Sequence, residues 1–332
     1  MKPLSVLVTG VGAIIGQGIA ISLRMPFPGY RARIIGIDRR DSPRANALCD
    51  KTYAKPSHDE NSPEYREFLL RVIREEKVDV VIPGIEPDVF FFDEQRSFFS
   101  EYTRLALNDP SLIAAARDKW TIYAALLAHD LPCIPTRTRG TWEECLAALG
   151  PVPLLLKPRR GSGGRGIVRL ENEDDFSYWT RKKKGDFLIQ RIIGRDDEEY
   201  TVSAFGLGRG AAIPPIIMRR RLDASGFTGE ARVIAPTECL ELLSVIEKLN
   251  TVFSPLGPTN YQFRKVDSDY YLLEINPRIS SATSLRAAFG YNEAWMAALF
   301  YGDDRQPEPP IIRLGSASRY TQDQIEYVGD SF

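Results

Sequence analysis

The fold is decided by residues 270–278, which read Tyr-Tyr-Leu-Leu-Glu-Ile-Asn-Pro-Arg near the end of the chain. With the period of two that a β-strand imposes, Leu273 and Ile275 point to one face of the strand. Glu274 and Asn276 then point to the other face. The stretch therefore predicts a strand with one apolar side and one side rich in oxygen atoms.

A second strand is predicted just upstream, at residues 261–266, and residues 267–269 (Asp-Ser-Asp) between the two favour a turn. A hairpin centred on Ser268 places Gln262 opposite Glu274, because the two residues are equally far from the turn. Side chains opposed in this way have Cβ atoms about 5 Å apart. The hairpin therefore brings these two polar side chains together.

Three oxygen-bearing side chains, Gln262, Glu274 and Asn276, thus form one polar patch, which we name the predicted metal set. Arg278 lies at the exit of this patch. A carboxylate with two amide oxygens suits a hard cation such as Mg²⁺ or Mn²⁺, which prefers oxygen and shares its coordination shell with phosphates. An ordinary edge hairpin with a polar outer face shows the same alternation, so the assignment needs support from the rest of the chain.

The composition of the 332 residues is that of a globular protein, with 43% hydrophobic and 26% charged residues. The formal net charge of -1 provides no basic excess for nucleic acid or an anionic membrane. Residues 4–23 are nearly uncharged, but their glycines and their strand–turn–helix pattern argue against a membrane span. Scattered cysteines without a C-x-x-C pair predict free thiols in a reducing cytoplasm.

The first forty residues predict a βαβ unit. Residues 5–9 form an apolar strand, a turn containing Gly10, Gly12 and Gly16 follows, and the next strand ends at Asp38. This order is typical of Rossmann-like folds, in which glycines allow close approach of a nucleotide. The spacing G-x-G-x-x-x-G is one residue longer than the dinucleotide pattern, so NAD(P) binding and a role facing another substrate both stay open.

A further parallel strand is predicted at residues 79–84, followed by a turn at residues 85–88. Because open α/β sheets bind ligands at the carboxyl ends of their strands, Glu86 and Asp88 are candidate substrate contacts. The alternative is that both are solvated loop acids. Residues 108–111 (Asn-Asp-Pro-Ser) interrupt the pattern and mark the first predicted domain boundary.

The second decisive motif is residues 154–168, which read as strand, glycine-rich turn and strand. Glycines allow backbone N–H groups to approach phosphate oxygens, while Lys157 and Arg165 supply positive charge. The motif is not a P-loop, because its lysine precedes the glycines and no helix follows. We predict a phosphate-binding lid rather than a plain surface hairpin. The predicted ligand contacts of this lid are Lys157, Gly161, Ser162, Gly163, Gly164 and Arg165.

Gln262 followed by residues 273–280, Leu-Glu-Ile-Asn-Pro-Arg-Ile-Ser, resembles the metal-binding end of ATP-grasp enzymes. The similarity is greatest to the ATP-grasp domains of carbamoyl phosphate synthetase large subunits. This resemblance implies an α/β fold, α+β in its C-terminal half, with an N-terminal Rossmann-like domain preceding the ATP-grasp unit. The implied domains are residues 1–110 (Rossmann-like), 111–195 (linker helices and glycine-rich lid), 196–310 (metal- and ATP-binding subdomain) and 311–332 (terminal strand and tail).

The same resemblance implies roles by position. Lys157 and Arg165 stand where ATP-grasp enzymes carry phosphate-binding basic residues, and Lys119 stands where another often lies. Together with Arg278, Lys157 and Arg165 are the implied catalytic residues, because they would neutralise the transferred phosphoryl group. Residues 187–194 resemble the hinge that contacts adenine. The implied hinge contacts are Gln190, Arg191, Ile192 and Ile193.

Two assignments stay open at this point. The resemblance implies Glu199 as the acid that holds the ribose, but the spacing is about two residues longer than usual and leaves Glu198 as the alternative. Residues 228–236 resemble the Thr-Gly-acid…Ala-Pro segment of carbamoyl phosphate synthetases, and a nearby arginine is expected to bind an acyl phosphate or a substrate carboxylate. The candidates are Arg219, Arg220, Arg221 and Arg232.

The resemblance implies an ATP-dependent ligase that joins a small-molecule carboxylate to an amine through an acyl phosphate and releases ADP and phosphate. The expected cofactors are ATP and Mg²⁺ (or Mn²⁺). The expected partners are the carboxylate and amine substrates, with no nucleic acid or membrane, a homodimer left open and a cytoplasmic location. Three alternatives remain: a carboxyphosphate or carbamate kinase, an NAD(P)-dependent oxidoreductase or epimerase using the first domain, and a catalytically silent ATP-binding module.

Overall fold

The computed structural model describes residues 1–39, 43–57, 62–161, 164, 166–183, 186–224, 226–320, 323 and 325. This part of the chain forms one parallel and two antiparallel β-sheets with helices packed against them. The predicted α/β fold, with α+β character in its C-terminal half, is therefore confirmed.

The first sheet is parallel and has five strands. They are β1 (Lys2–Thr9), β2 (Tyr30–Asp38), β3 (Lys51–Ala54), β4 (Val80–Ile82) and β5 (Arg104–Leu105), in the order β3-β2-β1-β4-β5. The helices of this region are α1 (Ile14–Arg24), α2 (Pro43–Leu48), α3 (Pro63–Glu75), α4 (Glu86–Glu94) and α5 (Arg96–Phe99). The βαβ unit predicted from the first forty residues is present as β1, α1 and β2.

Helix α4 begins at Glu86, where the sequence predicts a turn, so that prediction is wrong. The signal for a helix start is Pro87, which stands in the first helical turn, where its missing N–H is not needed. Asp88 is 1% exposed and accepts a hydrogen bond from Lys55 Nζ at 3.3 Å. Asp88 is thus a buried, paired acid, which is neither a substrate contact nor a solvated loop acid. Glu86, by contrast, is partly exposed.

A small antiparallel sheet follows, which we name the lid sheet. Helices α6 (Pro110–Ala116) and α7 (Lys119–Ala128) lead into it. Its strands are β6 (Thr136–Arg137), β7 (Leu154–Pro158), β8 (Val168–Leu170) and β9 (Phe187–Arg191), in the order β6-β9-β7-β8, with helices α8 (Trp142–Leu149) and α9 (Glu173–Lys183). The predicted capping box of α8 is present, because Glu144 N donates to Thr141 Oγ1 and Thr141 N donates to the Glu144 carboxylate.

The third sheet is antiparallel and carries the predicted metal set. Its strands are β10 (Glu199–Gly208), β11 (Ala211–Ala212), β12 (Ile216–Leu222), β13 (Thr228–Val233), β14 (Leu256–Val266), β15 (Asp269–Asn276) and β16 (Ser316–Ser318). The order is β15-β14-β10-β12-β13-β16, and β11 pairs with β10. Helices α10 (Leu240–Phe253), α11 (Thr283–Ala288) and α12 (Glu293–Gly302) accompany it, as do two short 3₁₀ turns at Asp196–Glu198 and Pro236–Glu238.

The two faces of the third sheet pack against different partners. One face joins α10 and α7 in a core that contains Val202, Phe263 and Ile246. The other face joins α1 and α12 in a core that contains Met218 and Trp295. The sheet is therefore held between its own helix and the first sheet's helices, which fixes the position of its carboxyl-terminal hairpin.

Asn108 connects the first sheet to the third. Its Nδ2 donates to Thr259 Oγ1 at 2.7 Å, and its Oδ1 accepts the backbone N–H of Leu256 at 2.8 Å. The predicted boundary at residue 110 lies just beyond this junction. The four domains and the three boundaries between them stay predictions.

The terminal strand lies elsewhere than the sequence indicates. A strand is predicted at residues 311–314, but the strand is β16, which pairs with β13. Residues 311–314 expose Ile311 and Leu314 and form no ladder, so that prediction is wrong. The predicted strand at 319–328 falls mostly outside the described residues.

A fully buried ion pair ties helices α11 and α12 to the third sheet. Arg286 and Glu293 are both 0% exposed, with Arg286 Nη1 3.3 Å from Glu293 Oε1. Arg286 Nη2 also donates to Thr201 Oγ1 at 2.7 Å and to Asn260 Oδ1 at 2.6 Å. Because Asn260 stands opposite Asn276 in the β14–β15 ladder, this pair lies directly beside the metal set.

Glu293→Gln is expected to destabilise the protein by about 3–5 kcal/mol, because removing one partner leaves the Arg286 charge buried without compensation. Urea denaturation followed by circular dichroism measures this change. The matched control is Glu75→Gln, whose partner Arg71 is largely exposed on α3, and there the change should stay below about 0.5 kcal/mol. Equal effects of the two substitutions would contradict the structural role of the buried pair.

Candidate active site

The β14–β15 hairpin pairs Gln262 with Glu274, as predicted, but by a different route. Its turn consists of two residues, since Val266 pairs with Asp269 and Phe263 still pairs with Leu272. A β-bulge then inserts one extra residue in β15, so that Gln262 pairs with Glu274. The predicted pairing is confirmed, although the turn is not centred on Ser268.

The bulge also changes which apolar residues share a face. Leu272 and Ile275 belong to the core on the α10 side, whereas Leu273 is only half-buried and lies outside that core. The prediction that Leu273 and Ile275 point the same way is therefore wrong. The physical reason is the extra residue at the bulge, which breaks the strict alternation of the strand.

Hydrogen bonds connect the polar residues of this hairpin. Asn276 Nδ2 donates to Glu274 Oε1 at 2.7 Å, and Arg278 Nη2 donates to Asn276 Oδ1 at 3.0 Å. Gln262 Oε1 accepts a hydrogen bond from Arg220 Nη2 at 2.9 Å. The carboxylate of Glu274 is the only one in the metal set, and the described residues contain no group of three or more His, Cys, Asp or Glu side chains arranged for a metal. These donors fit Mg²⁺ when phosphate oxygens complete its shell.

Lys157 faces this hairpin from strand β7 of the lid sheet. It is only 9% exposed, and its Nζ makes no hydrogen bond to the described residues. The pKa of Lys157 is lowered to about 8, chiefly by burial and also by the positive charge of Lys119, while Glu274 acts in the opposite direction. A buried ammonium in this situation is a binding point for an anion.

One cavity brings together most of the predicted residues of both sheets. Its free volume is about 50 Å³, room for a few water molecules. Apolar walls come from α7 and from Leu188 and Leu273. The predicted site residues that line it are Lys119, Lys157, Gly161, Gln190, Glu274, Asn276 and Arg278.

The glycine-rich turn adopts the backbone that its sequence indicates. Gly161 and Gly164 have φ of 101° and 69°, and a Cβ added at either would meet no atom within 4 Å. Their glycine character is therefore required by conformation rather than by close packing. The Gly161 carbonyl accepts a hydrogen bond from Lys119 Nζ. Ser162, Gly163 and Arg165 lie outside the described residues, and their roles stay predictions.

The hinge residues are divided between the cavity and its surroundings. Gln190 lines the cavity, is 8% exposed, and donates from Nε2 to Thr136 Oγ1 at 2.8 Å. Arg191, Ile192 and Ile193 do not line it. The carbonyl of Ile193 accepts from Arg264 Nη1 at 3.3 Å. The adenine contacts implied for these residues stay predictions.

Both candidate ribose acids are paired with arginines. Glu199 is 4% exposed and accepts from Arg220 Nε at 3.0 Å and from Arg264 Nη2 at 3.2 Å. Glu198 lies 2.9 Å from Arg219. Neither acid lines the cavity, and the choice between them stays open.

Arg220 is one of the four candidate arginines between which the sequence does not choose. Its side chain is 7% exposed and contacts both Glu199 and Gln262, so it links the implied ribose acid to the metal set. Arg221 and Arg232, by contrast, are exposed and paired with surface acids. Strand periodicity offers a signal, because the middle residue of three consecutive arginines points away from its two neighbours.

Arg278 reaches the first sheet. Its Nη2 lies 3.4 Å from Glu86 Oε2, while its Nε is buried without a hydrogen-bond partner among the described residues. The side chain is 13% exposed. Arg278 thus keeps a donor for another acceptor in the space between the two sheets.

The glycine turn of the first sheet is occupied by its own acid. Asp38 Oδ2 accepts the Gly12 N–H at 2.8 Å, and a Cβ at Gly12 would lie 3.0 Å from this carboxylate. A dinucleotide would need the same N–H for its pyrophosphate and would meet a negative charge there. This arrangement disfavours NAD(P) binding at the turn.

No helix within the described residues is long and apolar enough to cross a membrane. The expectation that residues 4–23 do not span a bilayer agrees with their division into β1, a glycine turn and α1.

Comparisons with known proteins find similarity to ATP-grasp proteins. Residues 186–322 match the family described as ATP-grasp in the biosynthetic pathway with Ter operon. A curated relative, the carbamoyl phosphate synthase large chain of Clostridium beijerinckii, is 25% identical over 303 residues, which is 83% of this chain. The chain spans only 27% of that relative's length.

Solved structures share the fold. The biotin carboxylase domain of Hydrogenobacter thermophilus 2-oxoglutarate carboxylase, in complex with MgADP, ADP and bicarbonate, has a TM-score of 0.72 at 16% identity, covering 94% of this chain and 73% of that one. The N5-carboxyaminoimidazole synthetase of Staphylococcus aureus, complexed with ADP, has a TM-score of 0.69 at 18% identity, covering 95% and 81%. With the hairpin, the lid sheet and the Rossmann-like first sheet described above, these matches show that the chain has the ATP-grasp fold and is similar to carbamoyl phosphate synthase large chains.

Proposed function

We propose that the protein is an ATP-dependent ligase that activates a small-molecule carboxylate as an acyl phosphate, joins it to an amine, and releases ADP and phosphate. The observation that carries this proposal is Lys157, an ammonium buried in a cleft opposite Glu274, Asn276 and Arg278. A buried charge without a partner is unfavourable unless an anion binds beside it. A nucleotide triphosphate with its divalent cation fits both the ammonium and the oxygen-rich hairpin.

The residues of the site have different proposed roles, according to the chemistry of their side chains. Gln262, Glu274 and Asn276 would hold Mg²⁺, which supplies charge neutralisation on the phosphates when it is bound. Lys157 and Arg278 neutralise the charge that develops on the transferred phosphoryl group. Arg165, Ser162 and Gly163 are assigned to the same phosphate contacts by the family resemblance, and so is Lys119.

The narrow cleft indicates that the lid sheet moves when a nucleotide binds. Ligand pockets in proteins have volumes of about 300–1,000 Å³, while the free space beside Lys157 is about 50 Å³. Closure afterwards would shield an acyl phosphate from water.

The relatives support a ligase of this type without naming its substrates. Carbamoyl phosphate synthase and a bicarbonate-bound biotin carboxylase domain both keep the carboxyphosphate alternative open. The substrates, the homodimer and the cytoplasmic location stay proposals. The experiment that tests the function is an ADP-release screen over pools of carboxylates and amines, with Mg²⁺ present and then removed by chelation; no release in any pool would overturn it.

Glu274→Gln is expected to lower ADP release by about 100-fold or more, because the metal set loses its only carboxylate. The substitution keeps the size and the hydrogen-bonding ability of the side chain. A coupled assay for ADP measures the rate, and Glu247→Gln on the exposed side of α10 serves as the matched control. An unchanged rate in Glu274→Gln would remove Glu274 from the mechanism.

The affinity for Mg–ATP is expected to fall as the pH rises through about 8. Phosphate binds the protonated Lys157, whose pKa in the free protein is about 8, so above that value binding requires uptake of a proton. The dissociation constant should then rise about tenfold per pH unit. Titration calorimetry between pH 7 and 9.5 measures it. Lys157→Met should bind weakly with no such slope, whereas Lys248→Met on α10 should behave as the wild type.

Lys157→Met is also expected to stabilise the nucleotide-free protein at pH 7. The folded pKa of Lys157 is about 8, below its ordinary value of 10.5, so the protonated lysine costs folding free energy. Below pH 8 Lys157 is protonated in both the folded and the unfolded protein, so the free energy of unfolding is lowered by the full amount of about 3 kcal/mol. Between pH 8 and 10.5 the folded lysine loses its proton and the cost disappears. Urea unfolding at pH 7 and 10 measures the difference, and a Met variant less stable than wild type at pH 7 would contradict it.

A further inference from the structure

Glu86 stands where two cavities meet. One is the cavity beside Lys157, and the other is a larger open cleft of about 880 Å³ at the carboxyl ends of β2 and β4. Glu86 and Phe90 line both of them. In the first sheet β1 has β2 on one side and β4 on the other, and the crevice at such a point is where open α/β sheets bind ligands. We name this second cavity the acceptor cleft.

The end of the acceptor cleft nearest the ATP site carries an acid. Glu86 Oε2 is 3.4 Å from Arg278 Nη2, and Glu86 Oε1 has no hydrogen-bond partner within the described part of the chain. The side chain is 25% exposed. A carboxylate oxygen is thus presented to the cleft beside the arginine that is assigned to the phosphoryl group.

The remaining walls of the acceptor cleft carry cations. Arg39, Arg117 and Arg160 line it. Arg117 is fixed by two contacts, an ion pair of 2.7 Å to Glu94 and a stacking distance of 4.1 Å to the ring of Phe90.

Two further acids line the cleft, and both are paired: Asp118 with Arg159, and Glu94 with Arg117. The cleft therefore offers the carboxylate of Glu86 at the reacting end and the guanidinium group of Arg160 on the side of the lid sheet.

We propose that the amine substrate is an α-amino acid or the amino end of a short peptide. Its ammonium group would bind Glu86, and its carboxylate would bind the arginines of the acceptor cleft. Among these arginines, Arg160 is exposed and follows strand β7 of the lid sheet. This inference rests on the proposed ligase function and adds the class of its second substrate. It also assigns Glu86 as the group that receives a proton from the amine.

The chemical step balances as follows. The ammonium gives one proton to Glu86 and exposes its lone pair, which forms a C–N bond to the acyl carbon. The C–O bond to phosphate then breaks, and the electron pair leaves with the phosphate. The nitrogen loses its second proton to the departing phosphate, and Glu86 returns its proton to solvent. The products are an amide and inorganic phosphate.

The test measures binding to the full chain loaded with Mg–AMP-PNP. Ligand-observed NMR compares three sets of compounds: the common L-amino acids, their methyl esters, which lack the carboxylate, and the matching 2-hydroxy acids, which lack the amine. At least one amino acid should bind tenfold or more tightly than both of its analogues. Glu86→Gln should abolish the preference for amine over hydroxyl, and Arg160→Met should reduce the preference for acid over ester. Glu75→Gln and Arg71→Met on α3 are the matched controls and should change neither preference.

The outcomes separate this inference from the function on which it rests. Failure of the wild type to take up Mg–AMP-PNP would overturn the proposed ligase itself. Uptake of the nucleotide with no amino acid bound, or with esters and hydroxy acids bound equally well, would overturn only the amino acid assignment. A Glu86→Gln variant that keeps the full preference for the amine would remove Glu86 from the site. Because each preference is a ratio within one protein, partial misfolding of a variant does not alter it.

Discussion

The site depends on a positive charge that the fold buries without giving it a fixed counter-ion. Lys157 is surrounded by protein, is repelled by Lys119, and is attracted by Glu274 from the opposite sheet. The described residues form no direct ion pair between Lys157 and Glu274. No side chain of the described residues pairs with this charge, and an anion that enters between the two sheets would compensate it. The lid sheet supplies the charge, and the third sheet supplies oxygen atoms for a cation.

The third sheet is the rigid half of this arrangement. Arg220 links Glu199 to Gln262 on its face, and the buried pair of Arg286 and Glu293 fixes it to helices α11 and α12. Side chains tied in this way lose little additional freedom when a ligand binds. The lid sheet has its own small core, which is separate from the two cores of the third sheet.

Much of this architecture was predictable from the sequence, and the exceptions have physical reasons. The βαβ unit and the pairing of Gln262 with Glu274 follow from strand periodicity and glycine positions. The helix start at Glu86 is not evident from the sequence, because a proline that follows a strand is typical both of a turn and of the first turn of a helix. The contact between Glu86 and Arg278 joins residues 192 positions apart, and no local pattern encodes such a contact. The ATP-grasp fold is shown by the structure and the comparisons, whereas the individual site roles are still predictions.

The bulge in β15 carries a consequence for how this chain tolerates insertions and deletions. The turn sets one register for the hairpin, and the extra residue near Leu273 shifts it by one before Glu274. Loss of Leu273 would remove the bulge and leave Phe263 opposite Leu272 and Gln262 opposite Glu274 in regular alternation, so that the oxygen-bearing side chains would stay on their present face. The strand is therefore expected to accept one residue more or less at this point, and an alignment of homologous sequences should place a gap there rather than within residues 274–276.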